Sequence, residues 1–247
     1  MGLFSKIRDF RKNRDESRMT KAAATVKNAK AIKDDRWAAI DWLCDLDDVD
    51  AAVPALLGRF EYSLEHGIND TREKEACMEG IVRHGDKALP IVKEHLRKTN
   101  RIAWPIKILK TLGSDEVVVD CLKSALNYGD VTFDQAQIDK NYDILCWLIE
   151  HKMPGEAKKL AHFLKDPDER VRYACAEVLI EQDESEVPEL LEPFLSDPSP
   201  DNSRIRQAVL QAFVTKKWKI RDTSRWPDGR MGDGLVVSKQ GLIEARI

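Results

Sequence analysis

From Asp166 to Ser196 the apolar positions follow a helical beat. Val171, Ala174, Cys175, Val178 and Leu179 fall at i, i+3, i+4, i+7 and i+8, and Val187, Leu190, Leu191, Phe194 and Leu195 repeat that spacing. This predicts two amphipathic helices in succession. Asp166 with Pro167 reads as a start signal for the first, and Ser185 with Pro188 for the second. So short a connection lays the helices antiparallel, and each keeps an apolar flank that its partner cannot cover. Such a unit has to stack on others of its kind.

A basic residue followed two positions later by a small one marks the other copies. Arg172/Ala174 has counterparts at Arg36/Ala38, Lys74/Ala76, Arg101/Ala103 and Arg206/Ala208, with a degenerate version at Lys140/Tyr142. Their separations of 38, 27, 39, 32 and 34 residues are those of helix-pair repeats. The first pair is expected to carry Trp37, Ile40, Leu43 and Leu46 on one helix and Val53, Leu56, Leu57, Phe60 and Leu64 on the next. The second runs about 71–98, broken at Gly85-Asp86, and the third about 100–128, broken at Gly113-Ser114. The fourth is the least regular, with an extended loop expected between Asn127 and Gln137. Past Trp218 the helical period stops, and Leu235-Val-Val-Ser and Leu242-Ile243 read as a small hairpin or an extended segment.

The run Asp166-Pro-Asp-Glu-Arg-Val171-Arg172-Tyr-Ala174 followed by Val178-Leu179, echoed by Ile205-Arg206-Gln-Ala208, resembles the HEAT-repeat family. Pro105 and Tyr142 depart from its pattern. The resemblance implies an all-α fold, a right-handed α-solenoid of about five to six helix pairs with a short non-helical C-terminal tail. It also implies that Arg172, Arg206, Asp166 and Asp197 lock neighbouring repeats. Family members serve as scaffolds, cargo binders, bilin lyase subunits and, in one branch, alkylpurine DNA glycosylases, so the fold alone does not choose a function.

Charge sets the N-terminus apart. Residues 1–33 hold ten Lys or Arg against three Asp or Glu, a net of +7, which leaves −10 for the rest of a chain whose total is −3. Leu3, Phe4, Ile7 and Phe10 sit on one side of a short helix, with Lys6, Arg8, Arg11, Lys12 and Arg14 around them. This arm fits three roles: contact with an anionic membrane through Leu3, Phe4, Lys6, Ile7, Arg8, Phe10 and Arg11, binding of nucleic-acid phosphates, or a cap on the first repeat. Met1-Gly2 resembles a myristoylation start, but Lys6 stands where Ser or Thr is required. Thr20 to Lys33 reads as a linking helix, rich in Ala and poor in large apolar residues.

The candidate chemistry is sparse. Cys44, Cys77, Cys121, Cys146 and Cys175 are dispersed one to a repeat, each in or beside an apolar stripe, which suits small core residues in a reducing compartment. The five histidines show no paired metal-ligand spacing. No phosphate-cradling glycine loop or nucleophile elbow occurs, and no apolar run is long enough to cross a bilayer. Trp37, Asp41 and Trp42 contain the residue types of a glycosylase pocket. Adjacent Asp41 and Trp42, however, point in different directions on a helix, and the acidic array disfavours DNA.

These observations divide the chain into a basic arm and linker (1–33), a repeat array (34–218) and a Gly-rich tail (219–247). They point to a non-enzymatic cytoplasmic scaffold with no cofactor and no metal. A protein partner would be held on the concave face through Lys93, Arg97, Lys123, Lys158, Lys159, Glu189 and Glu192, with Trp226 a further contact in the tail. The alternative is an adaptor peripheral to the inner face of a membrane, anchored by the arm.

Overall fold

The computed structural model describes residues 3–129, 133–232 and 234–245, the side chains of 3–13 and 232 excepted. Its helices run α1 (Leu3–Val26), α2 (Lys33–Cys44), α3 (Val49–Leu57), α4 (Gly67–Val82), α5 (Leu89–Lys98), α6 (Ala103–Leu112) and α7 (Asp115–Ala125). They continue as α8 (Gln135–Leu148), α9 (Ala157–Leu160), α10 (Glu169–Glu181), α11 (Val187–Leu191) and α12 (Ser203–Thr215). Three short strands follow, β1 (Arg230–Gly232), β2 (Leu235–Val237) and β3 (Ile243–Ala245), antiparallel in that order. The protein is thus mainly helical, with one small sheet. No described helix is long and apolar enough to cross a membrane. The chain groups into two compact units, Met1–Ala125 and Leu126–Ile247.

In the N-terminal unit α2, α4 and α6 are neighbours in turn, and so are α3, α5 and α7. Between these two rows lie Ile40, Leu43, Leu56, Ile81, Leu96, Ile106 and Leu122, all fully buried. Phe60 stacks on Trp104 with ring centroids 5.6 Å apart. Asp48 caps α3 by accepting the Ala51 N–H at 3.2 Å. α3 is shorter than its pattern: it passes into a 3-10 turn at Gly58–Glu61, and Leu64 lies beyond both. Pro105 is the third residue of α6, inside the first turn, where a missing N–H breaks no helical bond. In the segment 20–33, expected as a linking helix, α1 continues to Val26 and a turn leads into α2 at Lys33. Ala22 and Val26 are buried, and the Arg18 guanidinium lies 4.6 Å over the Trp42 ring.

The C-terminal unit repeats the theme with α8, α10 and α12 as successive neighbours. The cap of α10 is Asp168, which accepts from the Arg170 N–H at 2.8 Å, while Asp166 accepts the Asp168 N–H one step earlier. Pro167 therefore precedes the helix and does not open it. α11 likewise has Glu186, not Ser185, at its N-terminus. It lasts five residues before a 3-10 turn at Glu192–Ser196. Pro193 explains the change, since it has no N–H for the Glu189 carbonyl. Past α12, Ile220 donates to the Gly241 carbonyl at 2.8 Å, which draws the sheet back along the chain. Gly241 has φ +80°, and a Cβ there would stand 2.6 Å from the Ile220 oxygen, so both conformation and space call for glycine.

Candidate functional site

The arginines at the start of the first helices form a recurring device. Arg36, Arg172 and Arg206 each send Nη1 back to a carbonyl of the preceding turn, respectively Ala31, Asp166 (2.8 Å) and Asp197 (2.6 Å). Arg172 also donates through Nε to Asn202 Oδ1 at 2.9 Å, and Asn202 donates to Asp197 Oδ2 at 2.6 Å, which ties α10 to the turn before α12. The equivalent tie in the N-terminal unit is ionic. Arg36 and Arg59 converge on Glu73 at 3.0 and 2.8 Å, and Arg59 and Lys74 converge on Asp70 at 2.8 and 2.7 Å. Arg59 and Glu73 are fully buried. Every charge of this cluster faces an opposite one, so it holds elements together and leaves no open coordination for a substrate.

At the Trp37, Asp41 and Trp42 corner, the Arg18 guanidinium lies over the Trp42 ring and Asp41 is exposed to solvent. Cys44, Cys77, Cys121 and Cys175 lie in or beside the core, and burial raises each thiol, that of Cys44 to about 11. Those thiols stay protonated near neutral pH. Cys146 differs from the expected core role, since it is exposed on α8.

A groove of about 820 Å³ opens in the C-terminal unit between the 157–165 stretch and the 187–196 stretch, closed at one end by the 197–202 turn and by Arg225 of the tail. One wall is apolar, with Leu190, Pro193, Phe194 and Pro198. The other carries Lys158 from α9 and His162 and Lys165 from the 3-10 turn Ala161–Lys165 that continues it, the last two three residues apart and so one above the other. Lys158 reaches Glu186 at 3.4 Å, and no described residue forms an ion pair with Lys165. The acid beside them, Asp197, is committed: it accepts the Ser199 N–H at 2.8 Å and the Asn202 amide, and these bonds hold its carboxyl below the usual range. The groove is basic and apolar, with its one carboxylate occupied by the chain's own donors.

Of the residues expected to bind a partner, Lys158 lines this groove, while Lys159 lies 4.6 Å over the Tyr128 ring. Glu192 is not available to a partner. It is 7% exposed, and its two oxygens accept the backbone N–H groups of Arg221 and Asp222, both at 2.9 Å, while Glu189 pairs with the Arg221 guanidinium. These two acids fasten the tail. In the N-terminal unit Lys93 is half-buried on α5, Arg97 meets Glu94 at 3.7 Å, and Lys123 meets Asp120 at 3.3 Å. Trp226 is a half-buried turn residue whose carbonyl accepts from Gly229 at 2.8 Å. The side chains of Leu3, Phe4, Lys6, Ile7, Arg8, Phe10 and Arg11 lie outside the described residues.

Pattern reading missed Lys165 and Arg225. Lys165 was legible, seven residues from Lys158 in the same basic stretch. Arg225 was not, because its approach depends on how Glu192 holds the tail. No family model, no curated protein and no solved structure matches this chain.

Proposed function

We propose that this protein is a non-catalytic interaction module, a stack of HEAT-like helix pairs that holds a segment of a protein partner in the groove of the C-terminal unit. The observation that carries the proposal is the uncovered apolar wall at Leu190, Pro193 and Pro198 facing a basic helix edge. Apolar surface gathered in a concave site with a few convergent polar groups is the usual form of a binding site. The repeat reading is supported by the successive neighbours α2, α4, α6 and α8, α10, α12 and by the shared arginine-to-turn bonds. Five free thiols suit a protein of the cytoplasm.

The test is photo-crosslinking in cells of the source organism, with p-benzoylphenylalanine in place of Ala161, in the groove, or of exposed Gln207 on α12. One discrete protein adduct from position 161 and none from 207 is the expected result. Equal labelling from both positions, or none from 161, would remove the groove as the interaction site.

A further inference from the structure

The groove's two walls differ in kind, and that asymmetry constrains what lies between them. Lys158 on α9 and His162 and Lys165 on the 3-10 turn after it give one wall a run of donors, and Arg225 adds a guanidinium to the lining. Arg225 is held by Ser196 Oγ at 2.8 Å and Asp222 at 3.3 Å, so its charge is fixed in place. The facing wall offers carbon atoms alone at Leu190, Pro193 and Phe194. Asp197 offers little to a cation because both its oxygens already accept hydrogen bonds.

We infer that the occupant is an acidic amphipathic helix, with leucine or phenylalanine on one flank against Leu190 and Pro193 and carboxylates on the other against Lys158, Lys165 and Arg225. This rests on the reading of the groove as a partner site and adds the chemistry of the partner. An amphipathic helix presents its two flanks as two walls would require. Charge complementarity across a solvent-exposed rim fixes orientation and rejects segments of the wrong sign. A uniformly apolar helix would leave Lys165 facing no opposite charge, since Lys158 alone has Glu186, and a basic one would meet like charges.

The experiment uses the full-length protein and two fluorescein-labelled 16-residue peptides in fluorescence polarisation. One has Leu and Phe on one helical flank and Glu on the other, and its counterpart has Lys for every Glu. The acidic peptide is expected to bind at least tenfold more tightly than the basic one at 50 mM NaCl and to lose that advantage as salt rises. The double substitution Lys158→Glu with Lys165→Glu is expected to reverse the preference; both side chains are exposed, so an unchanged thermal melt accompanies the reversal. Equal affinity for the two peptides, no binding of either, or an unreversed preference in the variant overturns the inference. So does loss, in the same variant, of sedimentation with phosphatidylserine vesicles while the peptide preference stays unchanged, which would assign the basic wall to a membrane. An adduct at position 161 together with failure of the acidic peptide would leave the interaction site standing and remove only the acidic helix.

Discussion

Asp70 shows how much a single carboxylate can be made to do. Burial pushes its carboxyl up, but hydrogen bonds from Lys74, from Arg59 and from the Leu64 N–H outweigh that and hold it below the usual range. A carboxyl depressed in the folded state stabilises the fold above its unfolded value of about 4, and that contribution is lost as pH falls through the folded value. Asp70→Asn is therefore expected to be less stable than the wild type at pH 7, with the gap closing below about pH 4. Urea unfolding of both proteins at pH 7 and pH 3 measures it, and a gap independent of pH would show that shape rather than charge matters at position 70. Asp168 and Asp197 pull in the same sense and Asp166, raised first by burial, in the opposite one. All three are common to both proteins and cancel in the comparison. Within the Asp70 cluster only the Asp70–Lys74 pair, four residues apart on α4, has a spacing that sequence can show; Arg59 lies 11 residues from Asp70 and 14 from Glu73, and no local pattern joins it to them. The repeat marker Arg36 was visible, but as a spacing and not as one side of a buried ion pair.

At the scale of elements, the tightest place is the approach of α2 to α4. A Cβ on Gly80 would stand 2.3 Å from Cys44 Sγ, 3.2 Å from its Cβ and 3.1 Å from Leu56 Cδ1. Helix propensity favours alanine over glycine by about 1 kcal/mol, whereas overpacking a core costs about 1–3 kcal/mol. The contact with Cys44 Cβ decides the sign, because rotating the thiol away does not relieve it. Gly80→Ala is expected to destabilise, and Cys44→Gly with Gly80→Ala to recover at least half of that loss, as a double-mutant cycle by thermal melting would show. A cycle with no coupling would mean that the helices separate instead. The helices themselves were largely readable because period 3.6 survives in each core face, and the breaks at Gly85 and Gly113 fell where expected. Their ends were less so. Two aspartates flank Pro167 and both resemble caps, and only the backbone decides for Asp168. β2 and β3 lie on the Leu235-Val-Val-Ser and Leu242-Ile243 segments read as a hairpin or extended segment, whereas β1, three residues around a glycine-rich loop, gave no alternation to read.

For the molecule as a whole, the question is how far a local loss spreads. Glu73 receives both Arg36 and Arg59 inside the N-terminal unit, and removing it leaves Arg36, 5% exposed, with no acid and Arg59, 0% exposed, with Asp70 alone. Breaking a buried pair from one side costs about 3–5 kcal/mol, a large part of the stability of a unit this size. If the helix pairs stack as proposed, that cost stays where it is incurred, because neighbour contacts and not a common centre hold them. Hydrogen exchange of Glu73→Ala is therefore expected to show faster exchange through α2, α3 and α4, while the amides of α10 and α12 keep their wild-type protection. Adding Arg36→Met to Glu73→Ala removes one stranded charge and should return part of the protection in α2. If exchange instead rises to the same degree in both units, the chain unfolds as a single cooperative body. The charge cluster would then stabilise the groove in the C-terminal unit as much as its own.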